Sequence, residues 1–163
     1  MRPAGRSELE SLYFEYPEYP FRKPAELDGA RPRHPVIIAG AGPVGLTAAL
    51  ALARLGVASV VVEKKNTVND GSRAICISRY SFETLQQLGV VARFEARGLG
   101  WTSGRCYFRA QLIYQFSMPH SEDERFLPMY NIQQQYIEQF LIDAAADYPG
   151  LIDIRWLSEG AAV

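Results

Sequence analysis

The chain has 163 residues and a mass of 18.2 kDa, room for one domain rather than two. Hydrophobic residues make up 48% and charged residues 21%, a globular composition that excludes a disordered or fibrous chain. With 17 Lys and Arg against 18 Asp and Glu, the net charge of −1 argues against nucleic acid or an anionic membrane surface as partner.

Residues 1–35 hold six of the ten prolines and the aromatic run Tyr13-Phe14-Glu15-Tyr16. Prolines in Tyr16-Pro-Glu-Tyr-Pro-Phe exclude a regular helix, since each lacks an amide donor and biases its predecessor to extended backbone. This segment reads as an arm lying on the surface and anchored by its aromatics, with room for a short helix over 7–14. Its start lacks the apolar core of a secretion signal, and the two cysteines, Cys76 and Cys106, form no metal-binding or disulfide pattern. A reducing, cytoplasmic setting is the expectation.

From Val36 the pattern turns regular, and residues 36–163 form the second region. Val36-Ile-Ile-Ala predicts a buried parallel strand, 43–55 an Ala- and Leu-rich helix capped near Gly56, and 58–63 a second strand covered on both faces. The stretch 36–62 carries the single charge Arg54 and is long enough to span a bilayer. Its glycines nonetheless divide it into strand, turn and helix, so the expectation is a soluble βαβ unit.

Farther on, Asn69-Asp70-Gly71 signals a turn. Cys76, between Ile75 and Ile77, reads as a buried small hydrophobe. Helices are predicted over 79–88 and 91–97, and a hairpin or meander over 105–116. Trp101, Tyr107, Phe108 and Tyr114 read there as core aromatics before they read as a substrate-pocket lining. A charged loop covers 119–128. Asn131 is placed as an N-cap, with Gln134 in capping-box position, for a helix over 132–147. A last strand covers 151–157. His34 and His120 lack metal-ligand partners at useful spacing and read as surface histidines.

The chemistry concentrates in Gly40-Ala41-Gly42-Pro43-Val44-Gly45, a G-x-G-x-x-G turn between predicted strand and predicted helix. Gly40 makes the tight turn, Gly42 lets a pyrophosphate approach backbone amides at the helix start, and Gly45 lets the helix pack closely, with Ala48 and Ala49 continuing that face. Pro43 costs little at the first helical position. Glu63 lies eighteen positions after Gly45, at the end of the second strand, where it accepts from an adenosine ribose and disfavours a 2′-phosphate. These residues do not separate FAD from NAD.

The wider sequence does bear on that choice. Val36-Ile-Ile-Ala-Gly-Ala-Gly-Pro-Val-Gly-Leu, Val60-Val-Val-Glu-Lys, Ser72-Arg-Ala-Ile, Glu83-Thr-Leu-Gln-Gln-Leu-Gly-Val and Asn131-Ile-Gln-Gln-Gln-Tyr-Ile-Glu-Gln-Phe-Leu together resemble the class A FAD-dependent aromatic hydroxylases. The likeness is strongest to the 3-(3-hydroxyphenyl)propionate hydroxylase type and spans about residues 30–157. It implies a Rossmann-like α/β FAD-binding fold with a mostly parallel sheet and an added hairpin. It also implies hydroxylation of a phenolic substrate with FAD as cofactor, NAD(P)H as co-substrate and O₂.

Carried over residue by residue, the resemblance places FAD at Gly40, Ala41, Gly42, Pro43, Val44, Gly45, Glu63 and Lys64. Arg73 becomes a charge partner for the pyrophosphate, against the alternative of a solvated loop arginine. Gln133 becomes the flavin-side glutamine, with Gln134 as the alternative register. The family's later Asp-Gly and Gly-Asp motifs are absent here, so the chain reads as an N-terminal portion whose incomplete sheet leaves an edge open to association. A non-catalytic FAD- or NAD-binding module and an NAD-dependent oxidoreductase domain stand as the competing readings.

Overall fold

The computed structural model describes residues 13–30, 32–70 and 75–160. In chain order its elements are a 3₁₀ turn Ala25–Asp28, β1 Val36–Ala39, α1 Pro43–Arg54, β2 Ser59–Val62, β3 Cys76–Ser78, α2 Arg79–Gln87, α3 Val91–Arg97, β4 Leu99–Trp101, β5 Ser103–Phe108, β6 Gln111–Ser117, β7 Met129–Asn131, α4 Gln134–Ala145 and β8 Ile152–Arg155. They fall into two units, residues 1–73 with 134–163, and residues 74–133.

In the first unit, β2 lies between β1 and β8, and all three strands run parallel. The register pairs Ala39 with Val62 and Val62 with Arg155, so the C-terminal ends of the strands lie side by side. Helix α1 packs on this sheet and on α4, burying Leu46, Ala49, Leu50 and Ala53. Val60 and Val61 are buried on opposite faces of the central strand. The expected strand–helix–strand unit is therefore present, with one difference in burial. Ile37 is 65% exposed, because β1 is an edge of this three-stranded sheet and α1 covers only the face that carries Ile38. Ala48 is likewise exposed, one position away from the contact face that Ala49 holds.

The proline-rich segment is fastened to the same unit by aromatic contacts. Tyr19 stacks on Trp156 with ring centroids 4.3 Å apart, and its amide donates to the Asn66 carbonyl at 2.7 Å. Phe14 meets Tyr136 edge-on. His34 is half-buried rather than a free surface group. It pairs with Glu26 at 2.6 Å, and Arg155 donates to the same carboxylate at 2.8 Å. Those two bonds, His34 first, pull the Glu26 carboxyl down to about 2. The short helix considered over 7–14 falls largely outside the described residues.

The second unit forms around an aromatic cluster. Phe82 of α2 stacks on Tyr130 with centroids 3.9 Å apart and meets Phe94 and Phe126 edge-on. Ser78 caps α2 by accepting from the Ser81 amide. Antiparallel strands β3 and β4 flank β7.

Three expectations are corrected in this unit. Asn131 sits in β7 and does not cap a helix, since its Oδ1 accepts from Trp101 Nε1 at 2.9 Å and from Cys76 Sγ at 3.3 Å. Helix α4 accordingly begins at Gln134. Cys76 is exposed, on a strand that pairs on one side only. Tyr107, Phe108 and Tyr114 are exposed as well, because β5 and β6 form a two-stranded ribbon that pairs with no third strand among the described residues. The loop over 119–128 is pinned by Arg79, which bonds Glu124, the Phe126 carbonyl and His120.

Gly45 fixes how closely α1 can approach β1. A Cβ built there would overlap the Gly40 carbonyl oxygen and press on Ile38 Cγ2 at 3.2 Å. Both obstacles belong to the packed strand and turn, so Gly45→Ala is expected to cost about 1–3 kcal/mol of stability. Urea denaturation checks this, and an unchanged midpoint would contradict the packing argument.

Candidate functional site

The C-terminal ends of β1 and β2 bring the glycine turn and Glu63 together. Gly40 leaves β1 with φ +100°, a conformation that favours glycine. Its amide donates to the Val62 carbonyl at 2.8 Å, extending the ladder into the turn. The Ala41 amide then donates to Glu63 Oε2 at 2.8 Å, and Glu63 Oε1 accepts from the Lys65 amide at 3.0 Å. One carboxylate thus ties the turn before α1 to the loop after β2. With about four acceptor positions on a carboxylate, this one retains capacity for two further donors.

Gly42 is the N-cap of α1, and no side chain caps the helix. Pro43 follows at the first helical position, and the Leu46 amide donates to the Gly42 carbonyl at 3.0 Å. The amides of Val44 and Gly45 have no acceptor within the helix, so an anion finds donors and the positive end of the helix dipole there. The Val44 side chain points to solvent. Gly42 differs from Gly45 in what the fold asks of it. Its φ of −79° suits any residue, and a Cβ there meets nothing within 4 Å.

Two cavities adjoin this turn. The first, about 160 Å³, reaches from Ala41 and Gly42 past Glu63 to Lys65, Thr67 and Asn69, and is closed by Gln134 and Glu138 of α4. The second, about 230 Å³, lies on the other side of Glu63, between Gly40, Lys64 and the Ser158–Gly160 segment that follows β8. Lys64 therefore lies at the second cavity and Lys65 at the first. Gln134 faces the first cavity, while Gln133 is exposed just before α4. Arg73 lies outside the described residues.

Glu138 is a site residue that the sequence reading missed. It is 4% exposed, and it accepts from the Asn69 amide at 2.6 Å and from Gln134 Nε2 at 2.8 Å. Burial pushes its carboxyl above the ordinary value of 4.5, against the downward pull of those two bonds and of Lys65. A signal for it existed: Glu138 stands three and four positions before Leu141 and Ile142, on the apolar face of the helix. Ser158–Gly160 carried no such signal, since only the pairing of β8 with β2 brings them to Glu63. Among the described residues no cluster of His, Cys, Asp and Glu could hold a metal, and no helix is long and apolar enough to cross a membrane.

Because the folded chain holds the Glu138 proton more tightly than the unfolded one, its ionisation costs stability as pH rises above 4.5 through the folded value. The stability of the chain relative to Glu138→Gln is expected to be lower at about pH 8 than at about pH 4. Urea midpoints of both proteins at the two pH values test this; a difference that stays flat or grows with pH would contradict it.

A family model described as FAD binding domain matches residues 33–163. A 3-(3-hydroxy-phenyl)propionate/3-hydroxycinnamic acid hydroxylase of Mycolicibacterium vanbaalenii is 40% identical over 65 residues, covering 40% of this chain and 11% of that protein. A flavin-dependent monooxygenase of Mycobacteroides abscessus is 34% identical over 83 residues, covering 51% and 18%. The chain thus spans less than a fifth of the length of these curated relatives. Among solved structures, p-nitrophenol 4-monooxygenase from Pseudomonas putida aligns with TM-score 0.67 and 23% identity, over 76% of this chain and 32% of that one. The flavin-dependent monooxygenase PieE, solved with FAD and substrate, aligns with TM-score 0.64 and 24% identity, over 77% and 24%. These likenesses establish the fold as that of the FAD-binding monooxygenases.

Proposed function

Since this chain belongs to the FAD binding domain family, we propose that its glycine turn and Glu63 hold the adenosine diphosphate half of FAD, within a flavin-dependent monooxygenase that hydroxylates a phenolic substrate with NAD(P)H and O₂. The observation that carries the reading is Gly42. Neither its backbone angles nor its neighbours require glycine, yet it stands at the start of α1, where a bound pyrophosphate needs the space.

The residues present fit this cofactor. Val44 and Gly45 offer amides to the pyrophosphate, and the α1 dipole favours its charge. Glu63 is held by two backbone donors, so it meets the ribose hydroxyls without reorganising. Its charge repels a 2′-phosphate. The cavity between Gly40, Lys64 and Ser158–Gly160 would take the adenine. Arg73 would add positive charge at the pyrophosphate, and Gln134, or Gln133 in the other register, would face the flavin side. When bound, the flavin supplies the electron transfer and oxygen chemistry. This chain's part is to bind and orient the adenosine end, while a longer protein shields the reacting ring from water. The hydroxylase among the relatives supports the phenolic substrate class, and the relatives' greater length supports a contribution from residues beyond this chain.

The test is retention of FAD by the purified chain after desalting, read by visible flavin absorbance. Retention is expected, with at least a tenfold weaker affinity in Glu63→Arg, which removes the ribose acceptor. Gly42→Val is expected to keep the stability of the fold and lose FAD. Retention of NAD in preference to FAD would overturn the reading.

A further inference from the structure

The cavity beside Gly42 contains a polar group that the fold leaves unsatisfied. Thr67 is 8% exposed, and its hydroxyl is buried with no hydrogen-bond partner among the described residues. Leaving such a group unpaired costs about 1–3 kcal/mol, and buried hydroxyls are almost always bonded. Thr67 lines the same cavity as Gly42 and Lys65, so a ligand oxygen lodged there would supply the missing acceptor.

Lys65 is held at both ends. Its amide donates to Glu63 Oε1, and its ammonium donates to Asn69 Oδ1 at 2.8 Å. That bond uses one of the three ammonium donors. Asn69 is itself fixed, because its amide donates to the buried Glu138 carboxylate. The bonds run without a break from Ala41 through Glu63, Lys65 and Asn69 to Glu138, spanning the turn, the loop and α4. A long, flexible lysine is thereby aimed before any ligand arrives, which removes much of the entropy cost of using it. Around this cavity Lys65 carries positive charge, and Glu63 and Glu138 carry negative charge. A pyrophosphate brought into it needs the lysine as counter-charge, since Pro43 has already removed one helix amide.

We propose that Lys65 and Thr67 donate from their side chains to the pyrophosphate oxygens of FAD, with Asn69 and Glu138 as positioning residues for Lys65. The assignment rests on reading the Gly40–Gly45 turn as the FAD site, and it concerns the phosphates alone. Adenosine, which lacks phosphates, is therefore the control ligand. Affinities of the full chain, Lys65→Met, Lys65→Arg and Thr67→Val are measured for FAD, adenosine diphosphate and adenosine by calorimetry.

Lys65→Met is expected to weaken FAD and adenosine diphosphate about tenfold and to leave adenosine within about twofold. Lys65→Arg is expected to recover most of that loss. Thr67→Val is expected to weaken adenosine diphosphate about threefold while raising the urea midpoint, because the orphaned hydroxyl is gone. Retained adenosine binding shows that each variant is folded. Equal weakening of adenosine and adenosine diphosphate, or no weakening of either, would overturn this proposal and leave the FAD site standing. Failure of the unaltered chain to bind any of the three would overturn both.

Discussion

The Glu63 carboxylate, shared between the Ala41 and Lys65 amides, is the contact on which the site depends. It exists because of strand register. Parallel pairing of Ala39 with Val62 ends β1 and β2 at the same height, so the chain leaving each strand enters the same space. Gly40 continues the ladder by donating to the Val62 carbonyl, and the Glu63 amide does the same to Arg155. The side chain of Glu63 is then left to bind backbone on both sides. In open parallel sheets, ligands bind beyond the carboxyl ends of the strands, and here a carboxylate, a helix start and two cavities converge at that place.

Close approach of α1 follows from the same turn. Gly45 lies against the Gly40 carbonyl, so the turn sets the height of the helix and the helix start sets where an anion meets the amides. Glycine therefore serves two separable purposes in one motif. At Gly45 the packed protein demands it, and at Gly42 only a bound group would. The loop after β2 completes the arrangement: Glu138, from a helix 69 positions on, grips Asn69 and so fixes the path of residues 63–69.

Features encoded within a few neighbouring residues were legible in the sequence. The strand–turn–helix–strand unit, the tight contact at Gly45 and the place of Glu63 follow from local pattern and are present in the structure. Features that depend on distant pairing were not. Asn131 has the chemistry of an N-cap, but Trp101 and Cys76 claim its side chain once β7 pairs with β3 and β4. Phe126 sits in a charged loop, and nothing near it in sequence marks it as part of the cluster around Phe82. The exposed aromatics of the β5–β6 ribbon read as core because residue type alone says nothing of whether a third strand exists. Lys65, Thr67 and Glu138 escaped notice because two distant segments, the loop after β2 and α4, bring them to one cavity.

The proposed role of Glu63, pre-bound to two amides, is to select an unphosphorylated adenosine ribose. Calorimetric titration of the chain with adenosine diphosphate and with its 2′-phosphorylated analogue tests it most directly. At least a tenfold preference for the unphosphorylated ligand is expected, since the 2′-phosphate would meet a carboxylate. Glu63→Gln is expected to narrow the gap. Equal affinities in the unaltered chain, or a preference untouched by Glu63→Gln, would contradict it.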